Sequence, residues 1–217
     1  LRLKLAMVIA DVDPGTAGAK IAASAALPLI TANADNALFK YVGAPNNNPL
    51  SNDVPPRSAR QDFVMANTLV DEMNTLNDPR RAAYFTTVGG EYVGGKYGFS
   101  NVYANFSTFS TKVTATTFPG NMLDASEVNF LLAEAVERGF ITGDAKSYYD
   151  AAITASLAYW GVTGVEDYLA QATVDYSNAG SGASWQEKIG TQKWIALYNR
   201  GFDAWTEWRR LDFPVLV

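Results

Sequence analysis

The sequence contains no cysteine and no histidine. Without cysteine there are no disulfides, no thiolate metal sites and no sulfur nucleophile. Without histidine the commonest general base and the commonest transition-metal ligand are gone, and a Ser-His-Asp triad is impossible. Basic runs are missing too. Net charge is −5, so the positive footprint that nucleic acid demands is absent, and no nucleic-acid partner is expected. No apolar run approaches the roughly 20 residues of a membrane-spanning helix. Carboxylate chemistry remains open. Glycoside hydrolysis wants two carboxylates about 5 to 9.5 Å apart in a cleft. Here Glu127, Glu134 and Glu137 share one predicted helix, with Glu127 and Glu134 on its outer face as solvated charges. Asp11 and Asp13 offer hard oxygen ligands, but the further acids of a calcium loop are lacking. The expectation is a protein that is not an enzyme, with no cofactor and no metal.

What is present is hydrophobic and patterned. At 217 residues, 48% hydrophobic and 18% charged, the chain suits an ordered globule that buries roughly 70% of its unfolded surface. Asp13-Pro14 reads as a helix start. Gly18, Ile21, Ala22, Ala25 and Ala26 then share a face, and Pro28 ends the helix. Met65, Ala66, Leu69, Val70, Met73 and Leu76 form a second stripe, closed by Asn77-Asp78-Pro79-Arg80. Asp78 is expected to bond its local backbone or to pair with Arg80 or Arg81. Asp124 and Glu127 match a capping box, with Asp in place of Ser or Thr. Val128, Leu131, Leu132, Ala135 and Val136 form the inner face of that helix, Glu134 and Arg138 pair at i, i+4, and Gly139 stops it. The next helix runs from Asp144 to Trp160, with Gly161 as its stop, and a short one lies near Val165 to Ala170.

Ala133, Ala145, Tyr149 and Ala152 stand 12, 4 and 3 residues apart. This is the small-residue and aromatic spacing of a tetratricopeptide repeat, in which two helices approach closely only around small side chains. One repeat cannot bury its own face, so further helices must cover it. The candidate is a helix from about 185 to 210. Its apolar residues fall at 194, 197, 198, 201, 202, 205 and 208, one helical stripe that places Trp194, Trp205 and Trp208 in the core. Gln192, Lys193, Arg209 and Arg210 are expected to make structural hydrogen bonds or ion pairs. Trp160 and Trp185 sit at helix ends, where exposure is open.

Two stretches break this rhythm. Residues 28–60 carry Pro45-Asn46-Asn47-Asn48-Pro49 and Pro55-Pro56, the chemistry of turns and breakers. Residues 84–120 interleave aromatics with Gly89-Gly90, Gly94-Gly95 and Gly98, and allow at most a short β-hairpin around 84–97. The fold class predicted is all-α, with tetratricopeptide-like helix pairs and long irregular loops. The layout is one domain over 1–217, with a helical core at 124–210 and loop-rich decoration at 28–60 and 84–120. Neither end reads like a natural terminus, which suggests the C-terminal portion of a longer chain.

Several phrases resemble the SusD/RagB-like family. They are Leu1-Arg2-Leu3-Lys4-Leu5-Ala6-Met7 with Asp11-Val12-Asp13-Pro14, then Asp78-Pro79-Arg80, Glu127-Val128-Asn129-Phe130-Leu131-Leu132-Ala133-Glu134-Ala135, and Tyr148-Tyr149-Asp150-Ala151-Ala152-Ile153. Gln192-Lys193-Trp194 and Trp208-Arg209-Arg210 complete them in the expected order. The resemblance implies a lipoprotein on the outer face of the outer membrane, whose anchor lies outside this fragment. It implies capture of oligosaccharides, or of peptides, for a TonB-dependent SusC-like transporter, and no catalysis. The alternative is a helical-repeat scaffold that binds only protein. For a glycan the needed surface is an aromatic platform flanked by polar side chains. Tyr92, Tyr97, Phe99, Tyr103 and Asn105 are the candidates in the irregular segment, with Tyr97 and Tyr103 first, because a tyrosine ring can stack while its hydroxyl stays wet. The competing role for these rings is to pin loops onto the helices.

Overall fold

Helix starts fall where the capping residues place them. Asp13 Oδ1 accepts from Thr16 N at 3.0 Å, Asp124 Oδ1 from Glu127 N at 2.8 Å and Ser184 Oγ from Glu187 N at 3.2 Å, each satisfying an amide the helix leaves unpaired. The computed structural model describes residues 1–216. Among them, ten α-helices and two short strands follow in order: α1 (Arg2–Val8), α2 (Pro14–Ala25), β1 (Ala37–Phe39), α3 (Pro49–Asp53), α4 (Asn67–Thr75), α5 (Arg81–Tyr84), β2 (Gly120–Leu123), α6 (Ala125–Glu137), α7 (Ala145–Trp160), α8 (Val165–Leu169), α9 (Trp185–Ala196) and α10 (Gly201–Leu211).

The chain divides into two compact units. The first takes Leu1–Ala37, Leu123–Tyr159 and Thr163–Leu216 and is built on helices. Its centre is α6, buried at every position from Ala125 to Ala135. Leu3 and Met7 of α1, Ala17 and Ile21 of α2, and Val128, Leu131 and Leu132 of α6 make one cluster. Ala133, Ala145 and Ala152 are all buried, as repeat spacing requires, and the Phe130 and Tyr149 rings meet edge to face at 6.0 Å. The all-α, repeat-like expectation holds for this unit.

Two expectations about it do not hold. The helix expected over 185–210 is broken. Asn199 adopts the left-handed conformation (φ 63°), which asparagine tolerates better than most residues, and α10 starts afresh at Gly201. The aromatic stripe therefore does not continue inward. Leu197 is buried, Trp194 and Trp208 are half-buried, but Phe202 is 90% and Trp205 53% exposed. Glu207 and Leu211 take the inner face of α10 instead. Glu127 and Glu134, expected as solvated charges, are also buried, because arginines from α10 and its approach reach them.

The second unit takes Leu38–Met122 and Trp160–Val162. Here irregular backbone is held by side chains. Asn48 donates to Phe118 O at 2.7 Å and accepts from Leu50 N at 2.9 Å. Ser107 Oγ accepts from Val93 N at 2.9 Å. Asp78 and Arg80, both fully buried, form the predicted pair, with Nε 2.9 Å from Oδ1. Trp160 is buried against Tyr84 and Phe118, at 4.6 and 5.5 Å between ring centres. The hairpin expected around 84–97 is reduced to one bridge, Val88 with Glu91, across Gly89-Gly90. The two-stranded sheet joins β1 to β2, stretches that read as loop because neither alternates apolar and polar residues.

Candidate functional site

The aromatic candidates lie in the second unit, and local geometry sorts them. Gly94 and Gly95 let two chain segments touch. A β-carbon at Gly94 would stand 2.3 Å from Asn67 Cα, and one at Gly95 2.7 Å from Val64 Cγ2. Through this gap Gly95 N donates to Met65 O and Asn67 N donates to Gly95 O, both at 2.8 Å. The loop that follows turns at Gly98 (φ 76°) and presents Tyr97 and Phe99, 76% and 63% exposed. Asn67 Oδ1 accepts from Tyr97 N at 3.1 Å. The Lys96 ammonium lies 4.1 Å from the centre of the Phe99 ring, a cation–π contact that steadies that ring. Val102 is exposed beside them in sequence.

The other candidates differ from these two in burial and contacts. Tyr92 is half-buried, edge-on to Phe85 at 6.4 Å and beneath the Arg81 guanidinium at 5.3 Å, contacts that pack its ring. Tyr103 is half-buried and lines a cleft with Val54, Pro55, Arg60, Phe63 and Thr108. Its cavity volume, about 20 Å³, is far below the roughly 300 Å³ at which ligand pockets begin. Arg60 there is neutralised by Asp62 at 2.6 Å. Asn105 is exposed at the end of a 3₁₀ turn spanning Tyr103–Asn105. Lys96 and Asn101 were not singled out by sequence. The signal available was the spacing of polar residues around Gly98, which has no meaning until the loop closes.

Two of the acids weighed for hydrolysis, Glu127 and Glu134, are committed to ion pairs in the helical unit. Glu127 Oε2 lies 2.5 Å from Arg200 Nη2, and its Oε1 2.8 Å from Lys4 Nζ. Lys4 also reaches Asp203 at 2.5 Å, and Arg200 reaches Asp203 at 2.9 Å. Glu134 is held by Arg138 at 2.7 Å and by both terminal nitrogens of Arg210, one at 2.6 Å from Oε2. Glu207 completes the chain, 2.5 Å from Arg210 and 2.7 Å from Lys193. Burial alone would raise the Glu207 carboxyl. Lys193 and Arg210 outweigh it and hold the group down at about 2. For Arg200, burial opposes the charge, yet Glu127 and Asp124 keep it above its ordinary value. Such carboxylates are ion-paired in place and fit an architectural role. Asp11 and Asp13 are likewise engaged: Asp11 pairs with Arg138 at 2.7 Å, and Asp13 caps α2. Gln192 donates to Tyr168 Oη at 2.9 Å, the structural hydrogen bond expected of it, whereas Arg209 is exposed and lies over the Trp205 ring at 4.9 Å. No helix among the described residues is long and apolar enough to cross a membrane.

Residues 1–217 match the family model of SusD-like proteins described as "starch-binding associating with outer membrane". A SusD homologue from Bacteroides uniformis is 32% identical over 100% of this chain, at a TM-score of 0.84, and the match covers 51% of that protein. A chitin-binding SusD homologue from Flavobacterium johnsoniae is 29% identical over 100% of this chain, also at 0.84, with 50% of its own length covered. A SusD-like protein from Bacteroides thetaiotaomicron is 31% identical over 99% of this chain, at 0.80, with 51% covered. The chain thus spans about half the length of the solved structures it matches. No curated protein matches it.

Proposed function

The chain belongs to the SusD-like family, matched over its whole length, and on that premise we propose that it takes part in capturing oligosaccharides outside the cell for delivery to a TonB-dependent, SusC-like transporter. The location proposed is the outer face of the outer membrane, through a lipid anchor carried by the longer protein. One observation carries the binding half of the proposal. Tyr97 and Phe99 are two exposed rings on one short loop tied down at its base, the arrangement on which sugar C–H faces stack while neighbouring amides meet hydroxyls. Glycan-binding relatives lend support, since one is a chitin-binding protein.

The test is titration calorimetry with chitohexaose and maltoheptaose. Tyr97→Ala should weaken binding of the preferred sugar about tenfold, the equivalent of about 1.4 kcal/mol. Unchanged affinity in this variant removes the loop from the site. Saturable binding of short peptides in place of sugars shifts the cargo class. A second reading, a scaffold for protein alone, draws on Phe202 and Trp205, large apolar side chains that the helical unit leaves exposed. Transporter association indifferent to Tyr97→Ala, with no sugar heat at all, favours that reading.

A further inference from the structure

We infer that Asn101 is a positioning residue for ligand binding: its carboxamide closes the loop over 96–101, so that Tyr97 and Phe99 are held in place before a ligand arrives. The inference rests on the binding role proposed for this loop. Asn101 Oδ1 accepts from Lys96 N at 3.1 Å, while Nδ2 donates to Lys96 O at 3.1 Å and to Phe99 O at 2.9 Å. One side chain thus does what a neighbouring strand would do, satisfying one donor and two acceptors of a backbone that has no sheet partner there. Gly95 makes room for it, since a β-carbon at that position would lie 2.9 Å from Asn101 Cγ. Asn67 holds the other side of the loop through Tyr97 N. With its amide committed to the backbone, Asn101 acts on a ligand through the rings it fixes.

The consequence is energetic. A loop ordered only on binding charges that ordering to the affinity, roughly 0.5–1.5 kcal/mol for each rotamer-rich side chain, and a loop ordered beforehand does not. Asn101→Ala should therefore weaken binding of chitohexaose or maltoheptaose about tenfold, with the loss in entropy rather than enthalpy. It should also speed hydrogen exchange at the Gly95 and Tyr97 amides of the free protein, although their own acceptors, Met65 O and Asn67 Oδ1, are untouched. Asn101→Asp should behave alike. Its carboxylate still accepts from Lys96 N but faces two carbonyl oxygens with no proton to offer. Tyr97→Ala is the control that loses binding while Gly95 stays protected. Unchanged Gly95 and Tyr97 protection in Asn101→Ala overturns the clamp. Faster exchange at unchanged affinity overturns its positioning role and leaves the binding site standing. If the intact protein binds neither sugar while its loop amides are protected, the binding role itself has failed, and the inference falls with it.

Discussion

In the helical unit many of the buried polar groups are charged, among them Glu127, Glu134, Lys193, Arg200 and Glu207, and some of their partners are distant in sequence. Glu134 meets Arg210 across 76 residues and Glu127 meets Arg200 across 73. In the loop-rich unit the buried polar groups are mostly short and neutral, among them Asn48, Ser51, Ser107 and Ser110, and they bond to backbone. Its buried ion pair, Asp78 with Arg80, spans two residues. The difference has one cause. A helix satisfies its own amides and carbonyls, so its side chains are free to pair with one another. Irregular backbone leaves those groups open, and side chains must fill them. Ion pairs therefore join helix to helix in one unit, and amides and hydroxyls stitch loops in the other.

The sharpest break of that comparison is Glu134→Ala. Removing this carboxylate leaves Arg138 and Arg210, with side chains 14% and 7% exposed, without their shared partner. Breaking a buried pair from one side costs about 3–5 kcal/mol, and urea denaturation should show a loss of that size. A loss near zero would mean that water enters the cluster and that the charges do not organise these helices. The pair need not exceed an apolar alternative in net stability. What it fixes is which face of α10 turns inward, and Glu207 does so against the local aromatic pattern.

Acid tests the same cluster more gently. The Glu207 carboxyl titrates at about 2 in the folded chain, against an ordinary value of 4.5. A folded value below the unfolded one adds stability that is fully present above pH ~4.5 and is lost as pH falls toward ~2. The loss across that window is about 3 kcal/mol at most for this group, at about 1.4 kcal/mol per unit. Urea midpoints measured at pH 7, 4 and 2.5 should fall in step, and Glu207→Gln should flatten the trend. An unflattened profile assigns the acid sensitivity to other carboxylates.

Much of this was legible in the sequence, for physical reasons that differ by element. The caps at Asp13 and Asp124, the glycine stop after α6 and the small residues Ala133, Ala145 and Ala152 act locally or by fixed period, so one chain suffices to read them. The burial of Glu127 and Glu134 was not legible, because helical periodicity treats charge as outward unless the distant cation is known. The break at Asn199 was hidden by an unbroken apolar rhythm on either side. In the candidate site, glycine spacing among aromatics marked the segment in which the rings of Tyr97 and Phe99 are exposed. Tyr92 looked equivalent until Phe85 and Arg81 were seen to occupy its faces, and Asn101 acquired its role only when the loop closed.

The smallest expected effect bears on the aromatic stripe. Read along the sequence, Phe202 belongs with Leu197 and Trp194 in a core face. In the fold it is 90% exposed, while Ile195, one turn before the break, is completely buried. Phe202→Ser should therefore change unfolding free energy by no more than about 0.5 kcal/mol, as surface substitutions do. Ile195→Ala should cost about 2–5 kcal/mol through lost burial and the cavity left behind. The two positions are seven residues apart, so a continuous helix would put them on the same side, and similar losses at both would restore that helix and bury its tryptophans. A wide gap between them means that the left-handed turn at Asn199 ends the inward stripe. The face of α10 bearing Phe202 and Trp205 is then free for contacts that the helical unit does not itself supply.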